Sequence, residues 1–192
     1  MADEVFVHPQ AINEGLEVGS GTKIWAFAHV LAGAKVGTDC TICDQVFVEN
    51  GAVVGDGCTV KNGVSIWEGV TLENYVFVGP DVSFTNDRWP RSARNPVLGP
   101  RSDWLEPTRI CEGASLGARS VILCGVTVGA YAMVAAAAVV TRDVQAHALV
   151  VGMPARPHGW VCICGHRLDE ALSCLSCNRA FTQSDDGIEV QK

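Results

Sequence analysis

One apolar residue recurs every six positions along most of this chain. From Ile12 to Phe84, thirteen successive positions at this interval are all aliphatic or aromatic. After a break, the interval resumes at Ile110 and continues to Val140. Neither an α-helix, with its period of about 3.6, nor an alternating strand produces a strict period of six. The pattern is therefore an internal repeat, and it constrains the fold more than any local feature does.

A smaller residue lies two positions before most of these apolar residues, as at Ala28, Cys40 and Val46. Gly, Asp or Asn often follows the apolar residue, as in the segment 54–57, Val-Gly-Asp-Gly. Each hexad therefore predicts a short strand and a turn, with the apolar and the smaller side chain pointing inward. This signature resembles the left-handed parallel β-helix of hexapeptide acyltransferases, in which three hexads make one triangular coil. The fold class is all-β, and nineteen inward positions predict about six coils.

The composition agrees with a solenoid and argues against several functions. Only 18% of the residues are charged and 20 are Gly, which fits an apolar lumen with many tight turns. The formal net charge of −7 argues against a nucleic-acid partner. The first four residues are Met-Ala-Asp-Glu, and the chain contains no apolar run long enough to span a membrane. We therefore expect no signal peptide, no membrane partner and a cytoplasmic location, where nine Cys remain thiols or bind metal.

The repeat divides the chain into a β-helix domain, 1–157, and a Cys-rich C-terminal segment, 158–192. A long loop, 85–109, interrupts the β-helix and contains four of the eight prolines, which a regular sheet does not accommodate. The loop also gathers five arginines: Arg88, Arg91, Arg94, Arg101 and Arg109. In an acidic chain this predicts binding of an anionic group such as a phosphate or a carboxylate. The alternative is that the loop packs on a neighbouring subunit through Trp89 and Trp104.

Longer motifs indicate a family. The segments 23–30 (Lys-Ile-Trp-Ala-Phe-Ala-His-Val), 78–87 (Val-Gly-Pro-Asp-Val-Ser-Phe-Thr-Asn-Asp) and 149–156 (Leu-Val-Val-Gly-Met-Pro-Ala-Arg) resemble those of bacterial nucleotide-sugar N-acetyltransferases. The resemblance covers residues 8–165. The group most similar acetylates the 3-amino group of UDP-2-acetamido-3-amino-2,3-dideoxyglucuronate for surface polysaccharide. A sister group acts on dTDP-3-amino-3,6-dideoxyhexoses, and this alternative stays open.

The resemblance implies that acetyl-CoA is the co-substrate and that Asn86, in the Phe-Thr-Asn motif, positions the sugar amine as the catalytic residue. The repeat adds an independent argument, because residues three hexads apart stack in neighbouring coils. Asn50, Glu68 and Asn86 form such a ladder, and its members would be about 4.8 Å apart. We therefore predict that Glu68 and Asn86 bind the nucleotide-sugar substrate, together with Arg94 from the loop. For Asn50, a role in stabilising the turn is equally expected.

His29 is the one histidine within the coils. It lies three coils below Asn86, about 14 Å away, so it is too distant for the same corner of the same chain. We predict that it contacts substrate in a site shared with a neighbouring chain, or that it is an ordinary surface histidine. An O-acetyltransferase would require a His base beside the acceptor, and a γ-type carbonic anhydrase would require three His. A non-catalytic scaffold is a further alternative, which the arginine-rich loop argues against.

The family also implies a homotrimer, with acetyl-CoA in a groove between two subunits. Arg142 and Arg156 would bind the coenzyme phosphates. The backbone of four small residues would contact the pantetheine arm: Gly117, Ala118, Ala135 and Ala136. The alternative for these small residues is simple packing against the neighbouring chain.

The C-terminal segment carries four cysteines in two pairs: Cys162, Cys164, Cys174 and Cys177. Cys-x-x-Cys is a metal-knuckle spacing, and four thiolates suit a structural zinc ion. The first pair is one residue short of that spacing, so His166 could replace one ligand. A segment of this size is too small to form a core alone, and a metal would contribute its folding energy. The alternative is four reduced thiols in a loosely ordered tail.

Overall fold

The computed structural model describes residues 4–92, 104–185 and 187–191. Within these ranges the chain forms 24 short strands, none of its residues is helical, and no helix could cross a membrane. The first coils contain β1 Phe6–Val7, β2 Ile12–Asn13, β3 Glu17–Val18, β4 Lys23–Ile24, β5 His29–Val30, β6 Lys35–Val36, β7 Thr41–Ile42, β8 Phe47–Val48, β9 Val53–Val54, β10 Thr59–Val60, β11 Ser65–Ile66 and β12 Val70–Leu72. The later strands are β13 Phe77–Val78, β14 Ser83–Phe84, β15 Thr108–Ile110, β16 Ser115–Leu116, β17 Val121–Ile122, β18 Thr127–Val128, β19 Met133–Val134, β20 Val139–Val140, β21 Ala148–Val151, β22 Arg156–Trp160, β23 Phe181–Ser184 and β24 Gly187–Val190.

Every third strand falls in the same sheet, which makes the fold a parallel β-solenoid with three faces. One sheet has the order β1-β4-β7-β10-β13-β16-β19-β21-β22, the second β2-β5-β8-β11-β14-β17-β20, and the third β3-β6-β9-β12-β15-β18. Residues in register are 18 positions apart, as in the pair Ile24 and Ile42. Across the inserted loop the separation becomes 38, as in the pair Phe84 and Ile122. The predicted β-helix is therefore confirmed, and the insertion leaves its three-sheet order intact.

The solenoid has about seven turns, one more than the repeat count predicted. The additional strands come from the two ends of the chain. At the start, β1 pairs with β4 in parallel; near the end, β21 pairs with β19 in parallel. The register at the two ends departs from 18 positions: it is 17 between β1 and β4 and between β2 and β5, and 16 between β19 and β21.

The predicted apolar inward residues from Ile24 to Val140 form one continuous core, which four unpredicted residues extend: Val144, Ala148, Val150 and Ala155. Ile24, Ile66 and Ile122 are each 0% exposed, and burying such a side chain contributes roughly 1.5–3 kcal/mol. The prediction is wrong for Ile12, which is 54% exposed. Ile12 pairs with the outward residue His29 because the register in the first turn is 17 positions rather than 18, so its side chain lies outside the core.

The corners of the solenoid place some aromatic residues in the left-handed backbone conformation. Tyr75 (φ 59°) covers Gly57 in the coil below, where an added Cβ would lie 2.6 Å from the ring. Tyr131 (φ 55°) covers Gly113 in the same way. Glycine below and an aromatic residue above thus allow two coils to approach at this corner.

The C-terminal segment has a small separate core formed by five residues: Cys162, Leu168, Cys174, Phe181 and Ile188. The strands β23 and β24 pair in an antiparallel hairpin. This core contacts the last coil through His147, whose ring stacks on Tyr131 and meets Phe181 edge-on at centroid distances of 5.3 and 5.1 Å. The strand β22 runs across the predicted 157/158 boundary and pairs antiparallel with β21.

Candidate active site

The candidate site lies at the corner where β14 ends and the inserted loop begins. Asn86 is half-buried, two residues beyond the last residue of β14. Its side-chain Nδ2 donates to the backbone carbonyl of Glu68 over 3.2 Å, and its own carbonyl accepts from Glu106 N–H over 3.0 Å. The loop thus leaves and rejoins the solenoid at Asn86, and Asp87 and Leu105 form an antiparallel bridge at its base.

Asn50, Glu68 and Asn86 stack in neighbouring coils as predicted. Each hydrogen bond between coils in this column joins a side chain to a backbone group rather than two side chains. Asn50 Oδ1 accepts from Gly33 N–H over 2.9 Å, which is the turn-stabilising role. The backbone N–H of Glu68 donates to Glu49 Oε2 in the coil below over 2.8 Å. The Glu68 side chain is exposed at the corner. The structure therefore brings Glu68 and Asn86 together as expected.

The same corner continues upward to a residue that we predicted for the coenzyme. The register Phe84–Ile122–Val140 places Asn86, Cys124 and Arg142 in one column, each two residues beyond the paired position. At about 4.8 Å per strand, Arg142 lies two coils above Asn86, roughly 10 Å away along the solenoid. Counting whole hexads across the insertion, rather than residues, connects these positions from the sequence as well.

The loop arginines are largely engaged where the structure describes them. Arg88 contacts Glu106 through Nε at 2.9 Å and Nη2 at 2.6 Å. Arg109 pairs with Glu73 through Nε at 2.6 Å and through Nη2. Arg91 donates to the carbonyl of Pro90. Arg94 and Arg101 lie outside the described residues, so the predicted role of Arg94 in substrate binding stays a prediction.

His29 lies on β5, which is separated from β14 by β8 and β11, and it is therefore remote from Asn86. Its Nε2 is buried, with Glu14 Oε2 3.7 Å away. The ring meets Phe47 edge-on at 5.8 Å, and Phe47 contacts Trp67 at 5.7 Å.

Trp67 is a residue that the sequence argument did not assign to the site. Its indole Nε1 donates to the carbonyl of Phe84 over 3.0 Å, which holds an aromatic ring beside the Asn86 corner. The sequence signal is that Trp67 directly precedes Glu68, a residue predicted to bind substrate. Stacking on such a ring is a common way to hold a planar group.

Arg142 and Arg156 line one cavity of about 240 Å³, as expected for two residues that would bind the same group. The cavity lies at the end of the solenoid, between the chain after β20 and the beginning of β22. Both arginines are exposed. Two guanidinium groups at one concave site can hold the phosphates of a coenzyme.

The four small residues predicted for the pantetheine arm cluster at another corner, in neighbouring coils. The register Val78–Leu116–Val134 stacks Gly117 above Gly79 and below Ala135. A Cβ added to Gly117 would lie 2.7 Å from the backbone carbon of Ala135 and would also meet Ala136 N. Close approach of the coils thus explains why residue 117 is glycine. The contact of Gly117, Ala118, Ala135 and Ala136 with coenzyme stays a prediction.

The four predicted metal ligands converge. The Sγ atoms of Cys162, Cys164, Cys174 and Cys177 all lie within 4.8 Å of one another. Two of the separations are 3.4 Å (Cys162 to Cys177) and 3.5 Å (Cys164 to Cys174). A tetrahedral zinc site with Zn–S bonds of about 2.3 Å has sulfurs about 3.8 Å apart, so the arrangement fits this metal. His166 Nδ1 lies 3.6 Å from Cys164 Sγ, beside the four sulfurs rather than in place of one.

The surroundings of the sulfurs favour a thiolate at one of them. The backbone N–H of Arg179 lowers the pKa of the Cys177 thiol to about 6. The Arg179 side chain also donates from Nη1 to Cys177 Sγ over 3.2 Å. By contrast, burial raises the pKa of the Cys162 thiol to about 12 when no cation is near it. A metal ion would stabilise both as thiolates.

Comparison with known proteins agrees with this geometry. Two hexapeptide families match: the bacterial transferase hexapeptide (six repeats) over residues 39–74, and the hexapeptide repeat of succinyl-transferase over residues 107–142. A dTDP-3-amino-3,6-dideoxy-alpha-D-galactopyranose 3-N-acetyltransferase of Aneurinibacillus thermoaerophilus is 45% identical over 187 residues, covering 96% of this chain and 94% of the relative. An acyl-[acyl-carrier-protein]–UDP-N-acetylglucosamine O-acyltransferase of Brucella ovis is 38% identical over 53 residues, only 27% of this chain and 19% of that relative.

Among solved structures, the acetyltransferase domain of PglB from Neisseria gonorrhoeae in complex with acetyl coenzyme A superposes with a TM-score of 0.52. The sequence identity is 22%, and the match covers 82% of this chain and 59% of that one. At this identity the likeness shows the fold. The chain spans less than two thirds of that structure.

Proposed function

This chain belongs to the hexapeptide-repeat family of nucleotide-sugar N-acetyltransferases, and we propose that it transfers an acetyl group from acetyl-CoA to the 3-amino group of a dTDP-linked 3-amino-3,6-dideoxyhexose. The observation that carries this proposal is the location of Asn86 at the mouth of the inserted loop, held by Glu68 and Glu106. The near full-length relative, which has a dTDP-sugar in its name, supports the choice of acceptor.

The reaction requires little beyond positioning. The neutral amine nitrogen attacks the thioester carbonyl carbon, the C–S bond breaks, and a C–N bond forms. The proton lost by the nitrogen goes to the coenzyme sulfur, which leaves as a thiol. Holding amine and thioester together in the correct orientation supplies much of the rate, so no side-chain base is needed.

Asn86 is placed to orient the amine. The bond from Nδ2 to the carbonyl of Glu68 fixes the plane of the amide, and Oδ1 accepts a hydrogen from the sugar amine. Glu68, exposed at the same corner, accepts from a sugar hydroxyl or from the amine. Arg142 and Arg156 bind the coenzyme phosphates in their common cavity.

A second acceptor has a specific observation in its favour. The motifs in segments 23–30 and 78–87 resemble those of enzymes that use UDP-2-acetamido-3-amino-2,3-dideoxyglucuronate. Release of CoA thiol should be measured with the dTDP and the UDP amino sugars in parallel. We expect a kcat/KM at least about tenfold higher for the dTDP acceptor. Preference for the glucuronate would replace the first acceptor by the second, and no turnover with either would reject the function.

We propose that the active unit is a homotrimer in which neighbouring chains form the coenzyme groove. Several large apolar residues on the outer faces are exposed, among them Phe6, Trp25 and Phe77 at about 40% each, and these support a subunit contact. Light scattering should give about 61 kDa, three times the chain mass of 20.4 kDa. A stable 20 kDa species that retained turnover would reject the shared groove.

We also propose that the four cysteines bind one structural zinc ion per chain. The small core around them cannot fold unaided at this size, and a metal would supply the missing stability. Elemental analysis of protein purified without chelator should give about one zinc per chain. Cys174→Ser should lose it, whereas Cys111→Ser, at a cysteine remote from the cluster, should keep it. Metal-free protein with an intact C-terminal segment would reject this site.

A further inference from the structure

We propose that the ion pair between Arg88 and Glu106 is a positioning device that holds Asn86 at the acceptor site. This inference rests on the proposed function, in which Asn86 contacts the sugar amine. The pair itself does not contact substrate in this proposal. It acts by fixing the two ends of the inserted loop where they meet at Asn86.

One residue links the ion pair to Asn86. One carboxylate oxygen of Glu106, Oε2, accepts hydrogen bonds from Nε and Nη2 of Arg88 over 2.9 and 2.6 Å. The backbone N–H of Glu106 donates to the carbonyl of Asn86 over 3.0 Å. Between these two connections, Asp87 and Leu105 form an antiparallel bridge. The ion pair therefore closes a short hairpin base whose first residue is Asn86.

The coils fix Asn86 from the other side. Below it, Nδ2 bonds to the carbonyl of Glu68; next to it, Thr85 Oγ1 accepts from Cys124 N–H over 2.9 Å in the coil above. These contacts set its height along the solenoid. The direction in which the chain leaves the corner depends on the hairpin base, and hence on Arg88 and Glu106.

The coil above leaves room for the ion pair at Gly125. A Cβ added to Gly125 would lie 2.6 Å from Glu106 Oε2 and 2.9 Å from Arg88 Nη2. Gly125 also has φ +76°, a conformation that glycine adopts without strain. By contrast, the exposed pair Lys35–Glu17 joins two strand residues by one contact of 3.0 Å and closes no loop.

The expected signature is a loss of rate without a loss of stability. The Arg88 and Glu106 side chains are 52% and 34% exposed, so the pair contributes little to the global free energy of unfolding. Misplacing a reacting or orienting group by about 1 Å, however, can lower a rate about 100-fold. If the pair only stabilised the fold, the variants would lower the melting temperature, and the kcat of the folded protein would stay the same.

The experiment uses Arg88→Glu, Glu106→Arg and the double exchange in the full-length protein. Each single variant places like charges in contact and opens the hairpin base. We expect kcat to fall at least about tenfold, with the KM for acetyl-CoA within about twofold and the melting temperature nearly unchanged. The double exchange should restore kcat to within about threefold of wild type. Lys35→Glu, a charge reversal in a remote pair, is the matched control and should leave kcat unchanged.

Hydrogen–deuterium exchange provides a readout that does not require turnover. The Glu106 amide should exchange faster in both single variants and recover in the double exchange, because its bond to Asn86 opens and closes with the ion pair. Single variants with wild-type kcat, or a double exchange that fails to recover, would overturn the proposal. If wild type turned over neither acceptor, the proposed function would fail, and an unchanged Glu106 exchange rate would still overturn the positioning role.

Discussion

Asn86 donates its side-chain amide to the backbone carbonyl of Glu68, one coil below, over 3.2 Å. The amide nitrogen carries two hydrogens, so this bond uses one of its two donors and fixes the plane of the amide. With the amide held in this orientation, we propose that Oδ1 accepts a hydrogen from the sugar amine. In this role Asn86 orients the lone pair of the amine toward the thioester.

The first prediction concerns this residue. Asn86→Ala should lower kcat/KM by roughly 10- to 1000-fold, the range for one hydrogen bond that matters in the transition state. His29→Ala should cost much less, because three strand spacings separate it from the site. Asn50→Ala is the matched control, since it removes the same side chain two coils lower in the same column. Steady-state assays of CoA release provide the measurement.

A larger loss of kcat/KM in His29→Ala than in Asn86→Ala would indicate a different mechanism. If His29→Ala abolished turnover and Asn86→Ala behaved as wild type, the reaction would use a His base in a site shared between chains. Asn86→Ala and Asn50→Ala that lost activity equally, with equal losses of melting temperature, would show that the column acts only through folding.

The second prediction concerns the coenzyme phosphates. Arg142→Ala and Arg156→Ala should each raise the KM for acetyl-CoA about tenfold with little change in kcat, because a charged hydrogen bond in the ground state is lost. Arg119→Ala is the control; Arg119 is 79% exposed and lies 3.5 Å from Asp81, outside the cavity of Arg142 and Arg156. An unchanged KM in both cavity variants would remove this cavity from the coenzyme site.

The period of six was sufficient to predict the core. Every sixth residue from Ile24 to Phe84 and from Ile110 to Val140 is buried, because this inward position in a narrow solenoid lies in the apolar core. The cysteine spacing was likewise sufficient to predict that four sulfurs converge, since two close pairs can close around one point. Both predictions rest on regular spacing, which sequence records directly.

The charged loop shows where the sequence argument stops. The five arginines of the loop predict an anion-binding segment, but Arg88 and Arg109 pair with Glu106 and Glu73, which lie 18 and 36 residues away. Net charge records the number of charges and not their partners. For the same reason, the sequence did not predict the role of Glu106 at the loop base, which depends on a hairpin closed by side chains.

The third prediction separates packing from coenzyme contact at Gly117. Gly117→Ala should reduce the free energy of unfolding by about 1–3 kcal/mol without any coenzyme present, because the added Cβ meets the backbone of the next coil. Gly33→Ala is the control, since its Cβ would meet only the side chain of Asn50 at 3.3 Å. Denaturant unfolding measures both. Equal stability of the two variants would assign Gly117 to the coenzyme rather than to packing.

The fourth prediction is a pH dependence at His147, which joins the last coil to the C-terminal segment. Burial lowers the pKa of His147 below its ordinary value near 6.5. Its ring lies between Tyr131 and Phe181, and its Nδ1 is 2.9 Å from the carbonyl of Val161. The titratable group facing it is Tyr131, which is bonded to Glu112.

Because the pKa of His147 is lower in the folded state than in the unfolded state, the direction of the pH dependence of the free energy of unfolding follows. Above about pH 6.5, His147 is neutral in the folded and unfolded states, and its stabilising contribution is complete. As the pH falls below that value, the unfolded chain takes up the proton first, and the contribution is lost progressively toward the folded pKa. The free energy of unfolding should therefore fall as the pH decreases below about 6.5, and His147→Phe should have a shallower slope there. Metal content must be measured at each pH, because acid also protonates cysteine thiolates. Identical slopes for wild type and His147→Phe, at equal metal content, would show that His147 does not control this docking.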